Sequence, residues 1–137
     1  MRRKDWANVE TPTLADFDEL AAAAWARMPR AFRDLCGDVT IQIEDFATDD
    51  VLRELGLDSA FDLLGLYQGV SLDKKSVMDP GGVPDRVYLY RRPILDYWAE
   101  HEETLGHIVS HVLIHEIGHH FGLSDADMEK IEAGTRD

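Results

Sequence analysis

Leu14, Phe17, Leu20, Ala21, Ala24, Trp25 and Met28 recur at intervals of three and four, the period of a helix with one apolar face. Thr13 with Asp16 has the form of a helix start, and Pro29 predicts an interruption with a shorter continuation over 30–35. After Gly37 the period changes, because Val39-Thr40-Ile41-Gln42-Ile43 alternates as a strand does. A short helix over 50–55 and a second strand near 63–67 come next. Asp79-Pro80-Gly81-Gly82-Val83-Pro84 is the strongest turn cluster in the chain, and residues 86–91 beyond it read as a third strand. Leu105, Ile108, Val109, Val112, Leu113, Ile117 and Phe121 then mark a helix that is apolar on several sides, which predicts a central element. This order of elements predicts an α+β fold in which a small β-sheet packs on helices.

The chain has 137 residues and 45% hydrophobic content, which suits a single domain over 1–137 with one core. Met1-Arg2-Arg3-Lys4 is basic, but Asp5-Trp6-Ala7-Asn8 follows instead of an apolar stretch, so no signal peptide is expected. No apolar run is long enough for a bilayer. The single Cys36 can form no intramolecular disulfide, which fits a cytoplasmic setting, and near a helix end it reads as a core residue. A formal net charge of −13 argues against nucleic acid and anionic membrane as partners. The same acidic field would favour basic substrates or hold divalent cations nearby.

The chemistry is concentrated in His115-Glu116-Ile117-Gly118-His119-His120-Phe121-Gly122-Leu123-Ser124-Asp125. Residues four apart on a helix lie about 6 Å along the axis on one face, so His115 and His119 can turn both imidazoles to one metal ion. Glu116 sits beside the first of them, where a carboxylate can act as general base without ligating. Gly122 can adopt the left-handed conformation that ends a helix, and the turn would deliver Asp125 as third ligand. Three protein ligands and an open position describe a catalytic zinc site, whereas closed sites are usually rich in Cys. Ser124 with Asp127 reads as the start of a final helix to about Ala133, which puts Asp125 and Glu129 four apart on one face and leaves Glu129 as a rival third ligand.

His115-Glu116-x-x-His119-x-x-Gly122-x-x-Asp125 resembles the extended zincin signature with Asp in place of the third His. With Leu63-Leu64-Gly65-Leu66-Tyr67-Gln68-Gly69 and Val87-Tyr88-Leu89-Tyr90-Arg91-Arg92-Pro93, the chain from about Leu14 to Glu132 is similar to the minimal zincin-like metallopeptidase family of bacteria. The resemblance implies a zincin-like fold and hydrolysis of peptide bonds through a metal-activated water, with Zn2+ or another divalent metal as cofactor and a peptide or protein as substrate. It names no particular substrate. Metzincins carry a Met-turn after the motif, but here only twelve residues follow Asp125, and Met128 comes too soon to be that turn and reads as core. One wall of the usual specificity pocket would then be missing, so either the cleft is open or a partner or second subunit completes it. Because the imidazoles must be neutral to ligate, activity is expected to fall in mild acid.

The other candidates are weaker. His107 has rotated away from the metal-facing line, His111 reads as a structural or outer-partner residue, and His120 should face elsewhere. If residues 87–90 form the sheet edge, their main chain would align a substrate by strand addition, with Tyr67, Tyr88 and Tyr90 as candidate phenol donors. Two rival readings compete with the peptidase. One is a metal-stabilised interaction module with little turnover. The other is a metal-dependent endoribonuclease, which the acidity of the chain and the Glu after the first His disfavour.

Overall fold

A computed structural model describes residues 6–69 and 85–135, so the turn cluster at 79–84 and the basic first residues lie outside the described residues. Helix α1 (Leu14–Arg27) opens on a reciprocal capping box. The Thr13 hydroxyl accepts from the Asp16 N–H at 3.1 Å, and the Asp16 carboxylate accepts from the Thr13 N–H at 2.8 Å. Phe17, Ala21, Ala24 and Met28 bury the expected stripe, but Leu14, at the first turn, stands 43% exposed. Pro29 breaks the helix, and α2 (Arg30–Cys36) continues beyond it. Cys36 is buried there, and burial, then the charge of Asp85, pushes its thiol up to about 11, as suits an inert core residue.

Strands β1 (Val39–Glu44), β2 (Gly65–Gln68) and β3 (Asp85–Tyr90) form a mixed sheet in the order β1-β3-β2. β1 runs parallel to β3 with Val39 opposite Asp85, and β2 runs antiparallel with Gly65 opposite Leu89. Between β1 and β2 in sequence lies α3 (Asp49–Leu55), capped by Thr48 and ended by Gly56 at φ 69°. β3 is therefore the central strand, so the condition for strand addition along residues 87–90, that they form the sheet edge, is not met. Its apolar positions explain the placement: Val87 and Leu89 are fully buried, as a strand flanked on both sides and covered by helices requires.

Helix α4 (Arg91–Glu100) begins at the residue after β3, where the sequence pattern had extended the strand through Arg91. Pro93 falls in its first turn, where a missing N–H costs no helical bond. Arg91 pins the junction by donating from Nε to the Pro12 carbonyl at 2.7 Å and pairing with Asp45 at 2.8 Å. Helix α5 (Leu105–His120), capped by Thr104, is the centre of the molecule and packs on α1, α4, β2, β3 and the last helix, α6 (Asp125–Thr135). Ile108, Val109, Val112, Leu113, Ile114 and Ile117 of α5 join Phe17, Phe32, Val87, Leu89, Ile94 and Met128 in one hydrophobic cluster. None of the described helices is long and apolar enough to cross a membrane.

Candidate metal centre

Two glycines let other elements close on α5. A methyl group on Gly65 of β2 would come within 2.7 Å of Val112 Cγ1 and 3.2 Å of Glu116 Cγ, so the bare backbone there is what allows the strand to lie against the Glu116 turn. Gly118 plays the same part towards α6, since a methyl there would overlap the Sδ of Met128. Met128 is fully buried, as its spacing predicted. The α5 terminus is a Schellman turn built on Gly122 at φ 72°. The Leu123 N–H reaches the Gly118 carbonyl at 2.9 Å and the Gly122 N–H reaches that of His119 at 3.2 Å. Ser124 and Asp127 then cap α6 reciprocally, Ser124 Oγ accepting at 3.1 Å.

These constraints fold α6 back along the histidine face of α5. Asp125, expected as third ligand, is exposed at the first position of α6, and Glu129, its rival, is exposed as well. The α6 carboxylate that reaches the histidines is Glu132, only 6% exposed. The His111 Nδ1 lies 2.7 Å from Glu132 Oε1, a contact in which the ring nitrogen donates to the carboxylate. His107 Nε2 stands 3.2 Å from the same oxygen, and His115 Nε2 lies 3.7 Å from Glu132 Oε2. Burial pushes the Glu132 carboxyl up, but the hydrogen bond from His111 and the charges of His111, His107 and His115 outweigh it, so the group sits below its ordinary value. Sequence reading missed Glu132, although a signal was present: four residues beyond a core Met128 on a helix, it has to face inward.

The rings of His115 and His119 are neighbours, 5.7 Å between centroids and nearly perpendicular at 84°. His111 lies closer to His115, at 4.0 Å. His115 is held below the ordinary histidine value, first by burial and then by the charge of His111, a direction that favours the neutral imidazole that metal ligation needs. Among the described residues, the group of His, Cys, Asp and Glu donors gathered within 4.8 Å of one another is His111, His115 and Glu132. It does not include His119 or Asp125. Two imidazoles and a carboxylate form a donor set of the kind zinc takes, so the residues present fit a divalent metal.

Glu116 is half-buried, and burial pushes its carboxyl up to about 7. A proton acceptor near neutrality is what general-base chemistry calls for. Tyr67 is otherwise engaged: its hydroxyl donates to Asp85 Oδ2 at 2.5 Å and its ring stacks on His120 at 3.9 Å. Tyr90 is buried, and burial, then Glu44, Tyr88 and Glu116, raise its phenol to about 12. A cleft of about 530 Å³ opens at the start of α5, lined by Arg27, Thr104, His107, Ser110 and Thr135 among others. Neither Glu116, His115 nor His119 lines it.

A small mixed sheet backed by a buried helix, with a His-Glu-x-x-His turn facing a carboxylate from the following helix, defines a compact α+β domain of the zincin type. The zincin-like metallopeptidase family matches residues 36–135, most of the chain, and the protein belongs to that family. A search of the curated proteins finds no match.

Proposed function

We propose that this protein is a metal-dependent peptidase, with zinc the best-fitting ion and Glu116 as general base. The observation that carries the reading is the setting of Glu116: a half-buried carboxyl raised to about 7, on the same turn as two neighbouring imidazoles. His115 and His119 would hold the ion, with Asp125 completing the set by its place in the signature. A bound divalent ion supplies Lewis acidity towards a scissile carbonyl and a water. Glu116 accepts the proton of that water and returns it to the leaving amine. The peptide would lie along β2, not β3, because β2 pairs with a neighbour on one side only among the described residues and packs beside Glu116 through Gly65. The acidic surface favours basic peptides, and the lone buried cysteine fits a cytoplasmic protein.

The test is elemental analysis of wild type, His115→Ala and Glu116→Ala, with peptide-library cleavage on the same preparations. The reading expects near-stoichiometric zinc that His115→Ala loses and Glu116→Ala keeps, and cleavage abolished in both. A wild type that takes up no metal after reconstitution refutes it. Metal without cleavage would move the assignment to a metal-stabilised interaction module.

A further inference from the structure

The signature pairs His115 with the histidine one turn later, but the buried carboxylate of α6 pairs it with the histidine one turn earlier. We infer that His111, His115 and Glu132 form a divalent-metal site in their own right, one helical turn upstream of the signature pair and sharing His115 with it. The geometry is close to what an ion needs. Tetrahedral zinc at about 2.0–2.1 Å from each donor separates neighbouring donors by about 3.3 Å. His111 Nδ1 lies 2.7 Å from Glu132 Oε1 and His115 Nε2 lies 3.7 Å from Oε2, and with one donor atom taken from each residue the three donors lie within 4.8 Å of one another. Drawing donors that lie within 4.8 Å of one another in to about 3.3 Å takes side-chain shifts on the order of 1 Å.

The surroundings suit loading. Glu132 is held at the floor of the site by its burial, with the buried His107 Nε2 3.2 Å from its Oε1 but not hydrogen-bonded to it. The His111 side chain is 48% exposed, so the site faces solvent on one side and an ion can reach it. Loading requires His111 to release the Nδ1 proton it now donates to Glu132. With a proton on Nε2 instead, the Nδ1 lone pair is free for the ion, and the Glu132 carboxylate offsets part of the ion's charge. Because His115 belongs to both donor sets, the two sets hold one ion between them. The inference rests on the metal-dependent reading only in that shared histidine.

Zinc binding is measured by calorimetry on wild type, His111→Ala, His115→Ala, His119→Ala and the His111→Ala/His119→Ala pair, with near-UV circular dichroism to confirm folding. Positions 111 and 119 are exposed, so these variants spare the core. The upstream site predicts that His119→Ala still binds one zinc, weakened no more than about 10-fold, and that the pair loses at least about 100-fold. In the His119→Ala background, Glu132→Gln should cost a further 10-fold or more, roughly the loss seen when a metal site loses a charged partner. If His119→Ala loses zinc as completely as His115→Ala while His111→Ala binds as wild type does, the upstream site is refuted and the signature site stands. Undiminished binding by His115→Ala would refute both.

Discussion

Replacing Gly65 with alanine tests how β2 positions Glu116, the proposed general base. The added methyl would lie 2.7 Å from Val112 Cγ1, where carbon atoms settle at about 3.5–4.0 Å, so strand and helix must part by about 1 Å. Retreat the other way is blocked by the Tyr88 carbonyl at 3.1 Å, part of the neighbouring strand's main chain. Overpacking of this kind costs about 1–3 kcal/mol. Alanine returns about 0.5–1 kcal/mol by restricting the unfolded chain. The net expectation is a loss of about 1–2 kcal/mol, measured by urea denaturation. Val112 is 6% exposed, so Val112→Ala alone should cost about 2 kcal/mol for its lost methyls and the cavity. In the double variant the new methyl occupies that cavity, and the combined loss should fall short of the sum by about 1–2 kcal/mol. Because the same methyl would sit 3.2 Å from Glu116 Cγ, peptide hydrolysis by Gly65→Ala should drop by about 10- to 100-fold per folded molecule. A Gly65→Ala protein as stable as wild type, or losses that add within about 0.5 kcal/mol, would refute the argument, since β2 would then be shown to recede freely from Val112.

Three further outcomes are expected. Glu116 binds its proton more tightly folded (about 7) than unfolded (4.5), so the stability it confers is full below about 4.5 and is lost as pH rises to about 7. Metal-free wild type should therefore lose stability relative to Glu116→Gln across that window, and parallel denaturation curves would contradict the burial of this group. Tyr67→Phe keeps the stacking on His120 but withdraws a hydrogen bond from Asp85, which is 3% exposed; a loss of about 1–3 kcal/mol in melting or urea experiments is expected, with turnover per folded molecule unchanged. Gly118→Ala drives a methyl into Met128, and overpacking less the helix propensity gained leaves a net cost of about 1–2 kcal/mol. Hydrogen exchange should show faster opening concentrated in α6, and uniform protection would rule out Gly118 as the docking point.

What could be read without the tertiary structure was local. The Thr13 and Ser124 caps, the break at Pro29, the left-handed Gly122 and the burial of Met128 each follow from side-chain chemistry or spacing within a few residues, and each is present. The helical His115-Glu116-x-x-His119 turn is of the same kind, because the 3.6-residue period alone puts two imidazoles side by side. Strand order was not local. That β3 is central and β2 lies beside Glu116 depends on pairings between segments far apart in the chain, which turn signals do not encode. The start of α4 immediately after β3 was hidden because a proline in a first helical turn looks like a strand ending. Glu132 reaches His111 only because Gly118 and Met128 set how closely α6 packs on α5, and Glu116 sits near neutrality only because neighbouring elements exclude water from it. The sequence by itself determined which residues could do the chemistry, since spacing on one helix is a property of that helix. The tertiary structure decided which carboxylate meets the histidines and how strongly Glu116 holds its proton, since burial and docking belong to no single segment.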